Sequence, residues 1–361
     1  QSIRGSSSLL KEALPPPIQT LIRIAQECRR SKNAEKSKQF YLHLCKHKLE
    51  SHGELGNYLV PMFVECGSFP NALGVFYILH SPNEISWTSI ILGYIDCGQP
   101  KVALNMFQKM QNSSILPRSY TLVTALKACA FLKDLEQGQK IHSQAMENGF
   151  DQDSFVGNSL ISMYVKCGSI QHAEGVFNKL LLRDVISWNA LITGYFECGM
   201  NDKVLESLTI MECEGVSLDA ITYVCCLKAC GSIGSEFFGR LLHSMVVEDG
   251  LEGDDSIVNA LFSMYSNCGL FQDVEELFSK FQIQGIAIWN ALLTGHDEHR
   301  LTDDVLRCFE EMQLMGMSPN GTTYVCTLRA CSRAGFFERG KLIYSELVSK
   351  GYERDPSVIF T

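Results

Sequence analysis

Two His-x-Glu triplets, His52-x-Glu54 and His296-x-Glu298, come closest to a catalytic pattern in this chain of 361 residues. In zinc-dependent nucleobase deaminases the histidine binds the metal, the glutamate transfers protons, and a Pro-Cys-x-x-Cys segment supplies the remaining ligands. The chain has 15 cysteines, but none of them is spaced Cys-x-x-Cys and no proline directly precedes a cysteine. Both triplets are therefore chance matches, and the sequence predicts no catalytic residue, no metal site and no cofactor.

The composition narrows the class of protein further. The cysteines recur within apolar helical stretches, which favours buried free thiols in a reducing compartment over disulfide bonds. No run of 18 or more apolar residues is present, so we expect no membrane span. A net charge of −9 and a pI of about 5.5 argue against binding nucleic acid mainly by neutralising phosphates. The charge leaves open a locally basic groove or the recognition of base edges.

A long internal repeat organises the chain. All three tryptophans, Trp87, Trp188 and Trp289, stand 101 residues apart. The same interval separates Cys28, Cys129, Cys230 and Cys331. Long periods built from short helical units are typical of solenoids, so the repeat predicts stacked units that share one core. A solenoid offers a surface for an extended partner more often than a pocket for chemistry.

Each step of 101 residues divides into three units of 35, 31 and 35 residues, as in 119–153, 154–184 and 185–219. Within 154–184, apolar residues recur at helical spacing before and after a Cys-Gly-Ser sequence, which predicts two helices joined by a tight turn. Gly168 suits the left-handed conformation that ends a helix, and Ser169 can cap the next helix.

The same phase divides nearly the whole chain. We predict a leader or linker over 1–17 and then ten two-helix units, so that the fold is an all-α solenoid. Their predicted bounds are 18–52, 53–83, 84–118, 119–153, 154–184, 185–219, 220–254, 255–285, 286–320 and 321–355. A further repeat is expected to start at 356 and to be cut off at 361. Because the first residue is Gln1 rather than Met, we expect a targeting peptide to be missing from this chain.

One group of potential metal ligands needs a separate interpretation. His296 and His299 stand three residues apart beside several aspartates, a combination that could bind a metal. His299 falls at the repeat position of Cys97 and Cys198, in the turn between two helices. A solvated turn is therefore the favoured interpretation. No glycine-rich phosphate loop of a known type appears in the chain.

Three stretches carry a resemblance to a known family. LKACAFLKDLEQGQKIH, GNSLISMYVKCGSIQHAEGVF and SWNALITGY resemble the long, short and standard motifs of plant pentatricopeptide repeat proteins. The order long, short, standard marks the PLS subclass, and the resemblance covers about residues 18–361. Tetratricopeptide repeats share the two-helix design but keep a constant period of about 34 residues, so the alternating unit lengths disfavour them.

The resemblance implies a right-handed superhelix of helix pairs that binds single-stranded RNA in plant organelles. It also implies one base per repeat, with the RNA running 5′ to 3′ from the N to the C terminus. In the family, the fifth and last residues of a repeat read the base, and an apolar second residue packs against it. Asparagine suits the fifth position because it offers both a donor and an acceptor to one base edge.

Carried over residue by residue, the resemblance assigns base-reading pairs to the six complete units that are not long. The pairs are Asn57 with Asn83, Thr88 with Arg118, Asn158 with Asp184, Asn189 with Asp219, Asn259 with Gly285, and Asn290 with Asn320. The residues expected to pack against a base are Ile85, Phe155, Ile186 and Ala287, and Lys166 is a candidate for phosphate contact. The long units carry Ile22, Val123, Val224 and Val325 at the fifth position, so we expect little selectivity there.

Family rules imply which bases these pairs read. Asparagine with aspartate implies uracil, so uracil is expected at the adjacent units 154–184 and 185–219. A pyrimidine is expected at 53–83, 255–285 and 286–320. Arg118 and Gly285 depart from the usual last residue, which puts the bases of their units in doubt. The alternative is that an asparagine early in a helix only caps it.

The resemblance implies a non-catalytic role in site recognition for C-to-U RNA editing in a chloroplast or mitochondrion. Any deaminase would lie in a missing C-terminal domain or be supplied in trans, and splicing or RNA stabilisation is the alternative within the family. The long repeats of this subclass also dock multiple organellar RNA editing factor proteins, which are a second expected partner. Two rivals remain: a protein-binding scaffold of the tetratricopeptide kind, which the charge of −9 favours, and a deaminase enzyme.

Overall fold

The stretches with helical periodicity form α-helices, and the helices follow one another in pairs. The computed structural model describes residues 16–49, 52–150, 152–281 and 285–354. It divides into two units, Gln1–Arg183 and Asp184–Thr361, each of which is described by itself. Most of the leader predicted over 1–17 and all of the repeat expected from 356 lie outside the described residues.

The described residues of the first unit form five helix pairs. They are α1 (Ile18–Ser31) with α2 (Ala34–Lys46), α3 (Gly53–Glu65) with α4 (Phe69–Ile78), α5 (Glu84–Asp96) with α6 (Pro100–Asn112), α7 (Ser119–Leu132) with α8 (Leu135–Glu147), and α9 (Ser154–Lys166) with α10 (Ile170–Lys179). The first helix of each pair begins at a residue where the sequence predicts a unit to begin. The assignment of each pair to a long, short or standard repeat stays a prediction.

Five more helix pairs lie in the part of the second unit that the structure describes. They are α11 (Val185–Glu197) with α12 (Asn201–Cys213), α13 (Ala220–Ile233) with α14 (Glu236–Glu248), α15 (Asp255–Asn267) with α16 (Phe271–Phe281), α17 (Ile286–Glu298) with α18 (Thr302–Leu314), and α19 (Gly321–Ala334) with α20 (Phe337–Ser349). A short 3-10 turn, Tyr352–Arg354, follows α20. None of the helices in the described residues combines the length and apolarity needed to cross a bilayer.

Within each unit the odd-numbered helices pack against one another in chain order, and the even-numbered helices pack onto them. The first helices therefore form one layer and the second helices another. Neighbouring first helices approach closely where a glycine leaves room. A Cβ atom added at Gly295 on α17 would lie 2.5 Å from the Cβ of Ser266 on α15.

The turn predicted within 154–184 follows the sequence signal, but the predicted cap does not. Gly168 has a φ of +72°, the left-handed conformation that glycine adopts without a steric penalty. Ser169 begins α10, but its side chain makes no capping hydrogen bond. Its hydroxyl lies 2.7 Å from Nδ1 of His172 instead. The expectation that Ser169 caps the helix through its side chain is therefore wrong.

The cysteines are thiols rather than disulfides, but they are not all buried. Cys97, Cys198 and Cys213 are exposed, while the other twelve of the 15 are buried or half-buried. Burial raises the pKa of the Cys129 and Cys230 thiols to about 12, so these groups stay protonated and act as small packing side chains.

The tryptophan side chains differ in how their indole N–H groups are satisfied. Trp188 Nε1 donates to Glu214 Oε2 at 3.2 Å, whereas Nε1 of Trp289 is buried without a hydrogen-bond partner. Met315, which is 61% exposed, stands at the repeat position of Glu214. The sequence change from glutamate to methionine thus accounts for the unsatisfied donor.

Met315→Glu is expected to raise the free energy of unfolding by about 0.5–1.5 kcal/mol, because it supplies the missing acceptor at an exposed position. Urea unfolding followed by circular dichroism measures the change. Leu314→Glu is the matched control, since it adds the same charge one residue away at a position that is 87% exposed. Equal effects of the two variants would contradict the explanation.

Two half-buried histidines, His142 and His243, and the buried His296 give the fold a pH dependence. Nδ1 of His142 lies 2.8 Å from the Tyr164 hydroxyl, and His243 lies 2.8 Å from Tyr265 in the same way. Burial lowers the pKa of both histidines, and of His296, below the ordinary value. In the unfolded chain histidine titrates near its ordinary pKa of about 6.5, so below that pH the unfolded state binds protons that the folded state does not.

Stability is therefore expected to fall as the pH decreases below about 6.5 and to level off once the folded histidines are also protonated. Urea unfolding at neutral pH and at a pH near 5 tests this. A variant with His142→Gln and His243→Gln keeps a hydrogen-bonding side chain without the titration, and its loss of stability on acidification should be smaller. A wild-type midpoint that does not move with pH would refute the prediction.

Candidate nucleic-acid interface

The second residues of several predicted units form exposed apolar positions on the first helices. Ile85, Phe155 and Ile186 are 49%, 48% and 60% exposed, and Ala287 is also exposed. A large apolar side chain that the fold does not bury is available to pack against a ligand. All four residues that the sequence predicts to pack against a base are therefore accessible.

Sequence reasoning missed two members of this set. Tyr120 and Ile221, the second residues of two units predicted to be long, are 53% and 55% exposed. The rings of Tyr120 and Phe155 are parallel to within 2°, with centroids 6.4 Å apart. The signal was present in the sequence, because both residues occupy the second position of a predicted unit.

The base-reading pair predicted for 185–219 meets in the second structural unit. Asn189 Nδ2 donates to both carboxylate oxygens of Asp219, at 3.0 and 2.9 Å. Asn189 Oδ1 accepts from the hydroxyl of Thr222 at 2.7 Å. Asp219 also caps α13, because its Oδ1 accepts from the backbone N–H of Thr222. The asparagine is only 7% exposed, so its orientation is fixed by these partners.

The pair predicted for 286–320 has a related arrangement. Asn290 Oδ1 accepts from the hydroxyl of Thr323 at 2.8 Å, and Asn320 caps α19 through the backbone N–H of the same threonine. Both asparagines are half-buried. The uncharged Asn320 stands where Asp219 stands in the other pair, which changes the hydrogen-bonding groups presented beside the reader.

In the first structural unit, Asn57 and Asn83 also come together, but with a tighter network. Asn57 Oδ1 accepts from the backbone N–H of Asn83 at 2.8 Å and from the Ser86 hydroxyl at 2.7 Å. Asn57 Nδ2 donates to the carbonyl oxygens of Gly53 and Ser81 at 3.0 and 3.3 Å. All four hydrogen-bonding sites of this amide are therefore used within the protein.

Thr88 is the least available of the predicted base-reading residues. It is 2% exposed, its hydroxyl lies 2.7 Å from that of Thr121, and both threonines contact the carboxylate of Glu84. Arg118, its predicted partner, is exposed and begins α7 without a capping side-chain bond. The structure brings this pair into no hydrogen bond among the described contacts.

Two further pairs are placed differently. Asn158 belongs to the first structural unit, where it is half-buried. Asp184 belongs to the second unit, where it caps α11. Asn259 is half-buried, and Gly285 has no side chain to bring to it. Ile288 is the third residue of the unit that follows Asn259, as Thr222 is the third residue of the unit that follows Asn189. Unlike Thr222, Ile288 carries no hydroxyl.

Helix capping explains only half of the asparagine and aspartate pattern. Asn83, Asp184, Asp219 and Asn320 occupy the N-cap positions of the following helices and accept backbone N–H bonds there. The asparagines at the fifth position lie one turn inside the helix and cap nothing. The capping alternative therefore applies to the last residue of a unit and is wrong for the fifth.

Basic residues along the first helices are few and partly paired. Lys166 is exposed at the end of α9, where a phosphate could reach it. In the long units, Lys127 lies 3.5 Å from Asp96 and Arg329 lies 3.7 Å from Asp297. These pairs support the interpretation of the long-unit cations as ordinary surface side chains.

The histidine cluster has no metal-binding geometry. His296 stacks on Phe271 with ring centroids 4.3 Å apart, and His299 Nε2 lies 3.0 Å from the carbonyl oxygen of Asn267. Across the part of the chain that the structure describes, no three His, Cys, Asp or Glu side chains come together as a metal site.

Two family models, both of PPR repeats, match this chain. The PPR repeat family matches residues 82–130, 183–232 and 284–333, and the PPR repeat matches residues 158–185, 256–286 and 322–352. The matched segments together span more than half of the chain. They begin at or near the starts of first helices, which are α5, α9, α11, α15, α17 and α19.

Two similar proteins are chloroplastic pentatricopeptide repeat-containing proteins of Arabidopsis thaliana. One is 32% identical over 333 residues, which is 92% of this chain and 41% of the relative. The other is 33% identical over 288 residues, which is 80% of this chain and 33% of the relative. The chain thus spans less than half the length of these curated relatives.

A solved structure with a similar fold is that of the pentatricopeptide repeat protein PPR10 in complex with an 18-nt psaJ RNA element. It matches 96% of this chain and 52% of its own, with a TM-score of 0.80 and 16% sequence identity. At this identity the likeness bears on the fold, which is an all-α helical-repeat solenoid, as the sequence predicts.

Proposed function

Because the chain belongs to the pentatricopeptide repeat family, we propose that it binds single-stranded RNA and reads one base per repeat. The observation that carries this proposal is the contact of Asn189 with Asp219, together with the exposed side chain of Ile186 three residues earlier on α11. A polar pair held in a fixed orientation next to an apolar platform can hydrogen-bond a base edge while the platform packs on the base.

The proposed mechanism relies on base edges more than on phosphates. The net charge of −9 gives the chain no overall attraction for a polyanion. Specificity then comes from the asparagine readers and their partners, and the apolar second residues contribute affinity. Read in chain order, the predicted pairs specify 5′-YNNUUNYY-3′ for units 53–83 to 286–320, where Y is a pyrimidine and N is any base.

We infer an organelle as the place of action, a chloroplast or a mitochondrion, from the names of the chloroplastic relatives. Within it, the proposed role is site recognition for C-to-U RNA editing, with the deaminase in another domain or in trans. Splicing and RNA stabilisation are the alternative uses of the same binding activity. The long-short-standard order of the units supports the editing assignment.

A selection from a random RNA pool tests the proposal. The chain is incubated with single-stranded 18-nucleotide RNAs of random sequence, and the bound fraction is sequenced. Enrichment of adjacent uracils followed after one base by two pyrimidines is the expected result. A pool of duplex RNA is the control and should show no such enrichment. A bound fraction with the composition of the input would overturn the proposal.

A protein-binding scaffold is the second candidate, and a specific observation favours it. The second helices of two long units expose aromatic side chains: Phe237 on α14 is 73% exposed and Phe337 on α20 is 70% exposed. Exposed apolar residues on one helix face are typical of docking surfaces. In the proposed function these aromatic side chains bind multiple organellar RNA editing factor proteins. Such proteins would bind at the same time as RNA and would not compete with it.

A further inference from the structure

A buried hydroxyl contacts each of three predicted base-reading asparagines. Ser86, Thr222 and Thr323 donate to the Oδ1 atoms of Asn57, Asn189 and Asn290 at 2.7, 2.7 and 2.8 Å. All three hydroxyl residues are 0% exposed. Each is the third residue of the unit that follows its asparagine, so the same contact recurs at the same repeat position.

The hydroxyl is itself held in place by the start of its helix. Thr222 Oγ1 lies 3.1 Å from Asp219 Oδ1, and Thr323 Oγ1 lies 3.0 Å from Asn320 Oδ1. The backbone N–H groups of the same two threonines donate to these cap side chains. The capping geometry therefore fixes the hydroxyl, and the hydroxyl in turn constrains the asparagine of the preceding unit.

We propose that the buried hydroxyls of Thr222 and Thr323 are positioning residues for base reading, because they set which way round the asparagine amide is presented. The Asn57 amide is not included, since its four hydrogen-bonding sites are all used within the protein. The proposal rests on the proposed RNA-binding function. An amide has a carbonyl oxygen and an NH2 group of similar size, so rotation by half a turn exchanges an acceptor for a donor. A hydroxyl that donates to Oδ1 stabilises one of the two orientations.

The orientation of the amide decides between the two pyrimidines. Uracil presents an N3–H donor beside a carbonyl acceptor, whereas cytosine presents an N3 acceptor beside an amino donor. An amide that pairs with both atoms of one edge suits uracil in one orientation and cytosine in the other. Loss of the hydroxyl should therefore weaken the choice between uracil and cytosine, and leave the choice of pyrimidine over purine largely intact.

The chain contains a natural comparison for this idea. At 255–285 the reader Asn259 is followed by Ile288, which is 2% exposed and carries no hydroxyl. This unit should discriminate poorly between the two pyrimidines. Ile288→Thr would supply the hydroxyl at the same repeat position, and the preference between uracil and cytosine at that position should then become stronger.

The test uses the full chain and the pool of random single-stranded 18-nucleotide RNAs. Thr222→Val removes the hydroxyl with little change of shape, and the ratio of uracil to cytosine at the position read by 185–219 should fall by roughly fivefold. Thr222→Ser keeps a hydroxyl and should restore the ratio. Thr327→Val is the matched control, since Thr327 is also 0% exposed and donates only to the carbonyl oxygen of Thr323.

The outcomes separate this inference from the proposed function. If Thr222→Val leaves the uracil-to-cytosine ratio unchanged, or if Thr327→Val lowers it as much, the positioning role is wrong while RNA reading stands. If the wild-type chain shows no preference at any position, the proposed function itself fails. If Thr222→Val does not fold, Ile288→Thr provides the test. An unchanged preference between uracil and cytosine at the position read by 255–285 would then overturn the positioning role.

Discussion

Replacing both Asn158 and Asn189 by threonine is expected to lower the preference for uracil by about tenfold at each of two adjacent RNA positions. Threonine carries one hydroxyl on a shorter side chain, so it cannot offer an acceptor and an NH2 donor to the same base edge. At position 189 the substitution also removes the two hydrogen bonds to Asp219. The expected loss is in specificity, because the exposed Phe155 and Ile186 side chains still pack against the bases.

Fluorescence anisotropy with two short RNAs measures this effect. One RNA carries the sequence CAAUUACC, and the other carries adenines in place of its two uracils. Asn178→Thr is the matched control, since Asn178 is exposed on α10, a second helix away from the predicted readers. A double variant that keeps the full wild-type preference would show that these asparagines do not read bases.

Replacing Trp289 by alanine is expected to lower the free energy of unfolding by about 3–5 kcal/mol. The indole is 3% exposed and packs edge-on against Phe278 with ring centroids 5.3 Å apart. It also lines an open cleft of about 620 Å³ together with residues of α16 and α18. Removal of the ring leaves a void beside that cleft, and the void forfeits packing contacts.

Urea unfolding of the purified chain gives the change in stability directly. Leu314→Ala is the control, because Leu314 is 87% exposed and its truncation removes little buried surface. It should alter the free energy of unfolding by less than about 0.5 kcal/mol. A Trp289→Ala variant as stable as this control would mean that the helices close around the missing ring.

The helix starts could be predicted from the sequence because several signals agree. Gly168 and its equivalents fix the turns, the apolar spacing fixes the helix faces, and the interval of 101 residues places both in register. The two structural units could not be predicted in this way. The repeat gives every junction the same pattern, so nothing in the sequence marks the junction at Arg183 as different.

The candidate site was only partly predictable for a similar reason. The positions of Asn189 and Asp219 follow from the resemblance, but their mutual hydrogen bonds depend on how consecutive helices stack. The role of Thr222 was hidden, because a threonine three residues after an aspartate indicates a capping box and no more. Its second contact, with Asn189, spans 33 residues and arises only when the units pack.

The contact between Asn189 and Thr222 crosses a repeat boundary, so the segment that carries a base preference does not coincide with one repeat. A predicted reader together with both of its partners extends from the fifth residue of one unit to the third residue of the next, as in Asn189 to Thr222. Gene duplication or repeat swapping that cuts at the start of a helix separates a reader from its hydroxyl. Chimeras joined after Thr222 should transfer base preference intact, whereas chimeras joined after Asp219 inherit the hydroxyl of their new neighbour.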